Sequence, residues 1–149
     1  MNYCKEVVAV ETYSVRHAVL RQGKPLETCA FDGDNLSSTK HFCCFDSVAV
    51  IGVVSVFDNK TSIFSSDKQF QLRGMAVLES HQKQGIGNNL ILFAEKYIKS
   101  QSGEIIWFNA REIAVPFYEK MGYQKTGNPF EIRDIGQHFV MFKSLEVKY

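Results

Sequence analysis

Between residues 69 and 123 the hydrophobic pattern changes period three times. Residues 69–78 read as a mostly buried strand on Phe70, Leu72, Met75 and Val77. Ile86, Leu90, Ile91, Ala94, Tyr97 and Ile98 then recur at helical spacing, and Ser102-Gly103 ends that helix. Residues 105–109 form a short apolar run, hence a buried strand. Ala114, Phe117, Tyr118 and Met121 share one face of a second helix. Pro116 lacks an N–H and belongs in that helix's first turn, and Gly122 is placed to follow it in the left-handed conformation. Two sheet strands joined through a helix must run parallel.

The flanks impose the opposite constraint. Residues 42–45 and 48–57 are β-rich runs split by Asp46-Ser47, a hairpin signal, and 130–133 and 138–143 are strands joined around Gly136. Hairpins need antiparallel pairs. At the N-terminus, residues 4–10 read as a strand, Thr12 as an N-cap, and Val15, Val19 and Leu20 as one helical face. Residues 22–40 read as a long irregular connection. The expected fold is an α/β domain with a mixed, mostly antiparallel sheet flanked by helices and a parallel pair in the middle. One domain is expected over residues 1–149.

Composition narrows the function classes. Hydrophobic residues make up 45% and charged residues 22%, so the chain belongs with globular domains. A net charge of +1 gives no reason to expect a nucleic-acid partner. No window approaches a membrane span and residues 1–11 lack a signal-peptide pattern, so a cytoplasmic protein is expected, without a membrane partner. Cys4, Cys29, Cys43 and Cys44 follow no metal-ligand spacing and are expected as reduced thiols. No metal is expected.

The most informative segment is Val77-Leu78-Glu79-Ser80-His81-Gln82-Lys83-Gln84-Gly85-Ile86-Gly87-Asn88. A strand ends, a short loop follows, and glycines open a helix. Free amides at a helix N-terminus face outward at the positive end of the dipole, and glycines admit a phosphate close to the backbone. The loop is not a nucleotide-binding P-loop, since no Gly-Lys-Ser/Thr follows, and it lacks the third glycine of the dinucleotide fingerprint. Taken alone, it reads equally as a tight strand-to-helix turn.

In context, Gln82-x-x-Gly85-x-Gly87 resembles the acyl-CoA pyrophosphate loop of the GNAT superfamily of N-acetyltransferases. Leu72-Arg73-Gly74-Met75-Ala76-Val77 is similar to that family's fourth strand. Asn109-Ala110-Arg111-x-x-Ala114-x-x-Phe117-Tyr118-Glu119-Lys120-Met121-Gly122-Tyr123 resembles its next block. The likeness is specific from about residue 70 to 143. In the other half, Leu20-Arg21 and Pro25-Leu26-Glu27 resemble the small bacterial ElaA-like subset.

The resemblance implies acetyl-CoA as cosubstrate. It implies that Met75, Ala76 and Val77 lie along the acyl-pantetheine arm, with the Val77 N–H donating to the thioester oxygen. It implies that Gln82, Lys83, Gln84, Gly85, Ile86, Gly87 and Asn88 hold the pyrophosphate, that Asn109 binds the arm's amides with Phe117 nearby, and that Tyr118 protonates the departing thiolate. Family members often carry a general base on the fourth strand, where this chain has Arg73 and Gln71. Neither accepts a proton at neutral pH. Either water relays the proton or a residue from another segment acts, with His138 one candidate and Glu27 and His41 weaker ones. Gln71, Arg73 and Arg111 are candidate acceptor-binding residues, the arginines through a carboxylate.

The implied activity is acetyl transfer to a small-molecule amine. A non-catalytic acyl-CoA sensor and a protein or peptide N-acetyltransferase are the alternatives. The last two strands also offer an edge on which a homodimer can form.

Overall fold

The computed structural model describes residues 2–145. Its elements follow the expected order: β1 (Asn2–Val7), α1 (Tyr13–Val15), β2 (Lys40–Asp46), β3 (Ala49–Phe57), β4 (Gln69–Val77), α2 (Ile86–Ser100), β5 (Ile105–Arg111), α3 (Val115–Lys120), β6 (Gln124–Ile132) and β7 (Gly136–Ser144). The fold is mixed α/β, with strands that are mostly antiparallel and one parallel pair. Backbone contacts group the chain into two units. The first takes in the chain up to Asp58 together with Leu72–Tyr97; the second takes in Asn59–Gln71 and the chain from Ile98 onward.

In the first unit the strands run in the order β1-β2-β3-β4. The β2–β3 hairpin turns through Ser47 at φ 57°, where a small polar residue tolerates the left-handed region. Alternation along β2 sorts its side chains between two packing partners. Cys43 clusters with Val15 of α1, Phe45, Val53 and Ala76. Phe42 instead meets Phe93 and Tyr97 of α2, with ring centroids 5.6 and 5.9 Å away. Helix α2 buries Ile86, Leu90, Ile91 and Ala94, as its periodicity predicts. It fits closely because residue 52 has no side chain: a Cβ there would lie 2.9 Å from Ile86 Cγ2 and 3.0 Å from Leu90 Cδ1.

The N-terminal expectations need correction. Strand β1 ends at Val7, and Ala9–Thr12 form a 3₁₀ turn. The Thr12 hydroxyl donates to the Ala9 carbonyl at 2.7 Å, so it caps nothing ahead of it. Helix α1 is short and opens into a π turn over Arg16–Leu20. Cys29 and Cys43 are free thiols, as expected, but Cys4 and Cys44 are joined. They face each other directly across the β1–β2 ladder, a juxtaposition that spacing in sequence does not reveal. Burial pushes the Cys43 thiol up to about 12, with the Glu11 charge adding to the effect.

In the second unit the antiparallel order is β5-β7-β6. The first residues of β4 add the parallel pair, Gln69↔Ile105, Phe70↔Ile106 and Gln71↔Trp107. That ladder is three pairs long, although β4 continues to Val77 and β5 to Arg111. Helix α3 carries Pro116 in its first turn. It closes with Tyr123 N–H to the Tyr118 carbonyl and Gly122 N–H to the Glu119 carbonyl, and Gly122 sits at φ 94°.

Candidate functional site

Four parts of the chain bear on the site, and the sequence names site residues in three of them. The first is the segment from β4 into α2. Met75 and Val77 are half-buried and Ala76 is buried at the end of β4. Glu79–His81 make a 3₁₀ turn, and residues 82–85 are exposed. Gly85 sits at φ 82° with open space where a Cβ would be, and Lys83 sits at φ 64°. The first loop-to-helix bond is donated by Asn89 to the Gly85 carbonyl at 3.1 Å. The amides of Ile86, Gly87 and Asn88 therefore precede the helical ladder, as the first amides of any helix do. Ile86 itself is buried and pins the turn, while Gly87 is half-buried and Asn88 exposed. Gln82 turns back, its Nε2 donating to the Val77 carbonyl at 3.1 Å. An exposed amide-rich turn with a lysine suits a polyanion such as a pyrophosphate.

The second part lies around residues 16–34 and was not legible as a site. Arg16 is fully buried and pairs with Asp34 through both guanidinium nitrogens, at 2.6 and 3.1 Å. It also donates to the Cys29 carbonyl at 2.8 Å and to Ser55 Oγ at 2.9 Å. Burial alone would raise the Asp34 carboxyl. The Arg16 and Phe31 hydrogen bonds and the Arg16 and His41 charges outweigh it and hold the group below the usual carboxylate range. Asp34 also accepts the Phe31 N–H at 2.9 Å, which fixes Phe31 against Arg16 at 3.8 Å. The only hint in the sequence is an arginine beside Val15, on the apolar side of α1.

Arg73 stands against this cluster. Its guanidinium carbon is 5.0 Å from the ring centroids of both Phe31 and Phe57. Burial lowers its pKa, Asp34 and Asp32 oppose that, and Arg16 and Arg21 add to it. Gly74 beside it has φ 66°, and a Cβ there would lie 2.9 Å from Phe31 Cε2.

The third part is α3 with the end of β5. The Tyr118 ring packs on Phe108, with centroids 4.4 Å apart, and on Phe117 at 5.0 Å. Burial pushes its phenol up to about 12, so it remains a proton donor at neutral pH. Asn109 and Arg111 are exposed on β5.

The fourth is His138 on β7, opposite Arg111 in the ladder and buried. Its Nδ1 lies 2.9 Å from the Gly136 carbonyl. A carbonyl only accepts, so Nδ1 carries the proton and Nε2 the lone pair.

Other sequence candidates are occupied elsewhere. Gln71 is buried, and its Oε1 accepts from Asn59 Nδ2 at 2.9 Å. His41 has both ring nitrogens engaged, with Ser55 Oγ at 2.6 Å and the Asp34 carbonyl at 2.8 Å. Glu27 is exposed in the 3₁₀ turn Leu26–Cys29. No group of three or more His, Cys, Asp or Glu side chains able to hold a metal occurs among the described residues. No helix of the described chain is long and apolar enough to cross a membrane.

Comparison with known proteins gives this arrangement its class. The model of the acetyltransferase (GNAT) domain matches residues 24–145. The uncharacterized N-acetyltransferase YitI of Bacillus subtilis (strain 168) is 32% identical over 141 residues, covering 95% of each chain. An aminoglycoside 6'-N-acetyltransferase complexed with coenzyme A has the same fold, at TM-score 0.78 and 14% identity over 99% of each chain. Escherichia coli ElaA superposes at TM-score 0.75 and 14% identity, covering 96% of this chain and 99% of its own. The chain belongs to the GNAT family of N-acetyltransferases and is an acyltransferase.

Proposed function

We propose that this enzyme transfers the acetyl group of acetyl-CoA to the primary amine of a small molecule. The observation that carries the reading is Tyr118, a phenol whose ring packs on Phe108 and Phe117, on the helix where the family resemblance puts the thiolate's proton donor.

Acetyl-CoA supplies an activated thioester and a pyrophosphate. The backbone amides from Lys83 to Asn88 receive the pyrophosphate, with the Lys83 ammonium adding charge and Gln82 bracing the loop on Val77. The Met75–Val77 backbone and the exposed Asn109 amide bind the pantetheine arm, with Phe117 at its edge. The Val77 N–H donates to the thioester oxygen as negative charge develops there.

In the reaction the amine lone pair forms a C–N bond to the acetyl carbon and the C–S bond breaks. His138 Nε2 takes the proton the amine loses, and the Tyr118 phenol gives its proton to the departing sulfur. Exchange with solvent then returns both groups to their starting states, leaving the acetylated amine and free CoA thiol.

The test is incubation with acetyl-CoA and a panel of amino acids, polyamines, amino sugars and peptides, read by mass spectrometry, with Tyr118→Phe alongside. An acetylated small amine whose formation falls about a hundredfold in Tyr118→Phe supports the reading. Modification of peptides alone moves the enzyme to protein acetylation. Tight acetyl-CoA binding with no product on any acceptor favours a sensor.

A further inference from the structure

Arg73 is placed as a ligand-binding arginine in a way that Arg16, Arg21 and Arg111 are not. Arg16 is neutralised by Asp34 within the protein. Arg21 leans on the carbonyls of Thr28 and Leu20. Arg111 is exposed, with no aromatic ring against it among the described residues. Arg73 is half-buried, packs on two phenyl rings, and has no hydrogen bond or ion pair among the described residues.

A partly desolvated guanidinium without a counter-charge is costly unless something else supplies one. The nearby carboxylates act on it only from a distance, without contact. Asp34 is taken by Arg16, and Asp32 is exposed and forms no ion pair with Arg73. Packing on Phe31 and Phe57 restrains the side chain before any ligand arrives, which lowers the entropy cost of a bidentate contact. Phe31 is itself held by its N–H to Asp34, and Gly74 leaves the room that Phe31 occupies. The buried Arg16–Asp34 pair thus secures a segment whose ring faces Arg73.

Arg73 also lies two residues before Met75 on β4, a strand distance of about 7 Å. On the acetyltransferase reading, which lays Met75 along the acyl arm, a guanidinium at that range is placed for a group on the acceptor molecule rather than for the reacting amine. We propose that Arg73 is the anion anchor of the acceptor site and that the acceptor is an amine bearing a carboxylate, bound through the guanidinium fork. The inference rests on the acetyltransferase reading and names the substrate class for it.

The experiment compares matched pairs. The wild-type enzyme with saturating acetyl-CoA is given aspartate, glutamate, β-alanine and γ-aminobutyrate, each beside its carboxamide. Turnover is followed by mass spectrometry, and binding to the CoA-loaded protein by calorimetry. At least one acid should exceed its carboxamide by about tenfold or more, chiefly through KM. In Arg73→Met acid and carboxamide should become equal, Arg73→Lys should keep part of the preference, and acetyl-CoA affinity should stay within about twofold in both. Phe31→Leu, which frees the guanidinium but keeps its charge, should weaken the preference by a few-fold.

No acid favoured over its carboxamide, in binding or in turnover, overturns the inference. So does a preference that survives in folded Arg73→Met. Failure to bind acetyl-CoA at all instead overturns the acetyltransferase reading, which the calorimetry detects separately.

Discussion

Residues 22–40 and residues 82–88 are both irregular, both polar and both part of the first unit, yet they are built in opposite ways. The first is tied inward: Asp34 holds Arg16 and the Phe31 amide, and the Asp34 carbonyl holds His41. The second is tied by the Gln82 side chain to the Val77 carbonyl and by the buried Ile86, while residues 82–85 and Asn88 are exposed. Polar groups that partner within the chain fix structure. Polar groups left facing solvent at a helix start are available to a ligand.

Breaking the inward side should give the largest effect. Asp34→Ala leaves Arg16 charged, fully buried and unpaired, and should cost about 3–5 kcal/mol in urea unfolding. The same pair sets an acid limit. Because the Asp34 carboxyl is lowered in the fold, its contribution is present above the usual carboxylate range and is lost as pH falls through the folded value.

The contrast sharpens at two glycines with similar backbones. Gly74→Ala meets Phe31 Cε2 at 2.9 Å at a φ of 66°, and should destabilise by about 2 kcal/mol. Gly85→Ala meets nothing within 4 Å but keeps a φ of 82°, so it should cost about 1 kcal/mol. Its larger consequence should be in the KM for acetyl-CoA, with kcat nearly unchanged. A smaller effect is expected from Lys83→Ala: a few-fold rise in acetyl-CoA Kd at low salt that fades by about 0.5 M salt, with no change in Tm.

Least of all should come from alkali. The Tyr118 phenol is raised, so its protonated form persists and its contribution to stability is lost only as pH rises through the folded value. The kcat profile should show no descending limb from Tyr118 until pH approaches about 12. A limb near the ordinary tyrosine value that vanishes in Tyr118→Phe would show that the phenol is solvated.

Much of the fold was legible because its signals are local. The periodicity of α2, Pro116 and Gly122 around α3, and the β2–β3 hairpin all appear where the residues indicate. The glycine turn was legible for the same reason. The tail after α3 offered only short runs, and β6 proved longer than its pattern because an irregularity between Thr126 and Phe130 breaks the alternation. The Arg16–Asp34 pair was invisible: its partners are 18 residues apart, and an arginine in a helical pattern ordinarily reads as solvated. Arg73 and Gln71 showed the limit on the site side. Both stand on β4 as candidate acceptor residues, but only the structure separates the one bonded to Asn59 from the one resting on two phenyl rings.

Gly52 carries a consequence for anyone mapping this enzyme by random substitution. It lies on β3, yet its missing methyl group is what lets Ile86 and the start of α2 sit down. A side chain there would lift the helix start and carry with it the amides to which we assign the pyrophosphate. Such a variant would score as a cosubstrate-affinity defect and be mistaken for a contact residue. The position acts as a set-screw for the loop, adjusting from beneath a surface it never reaches.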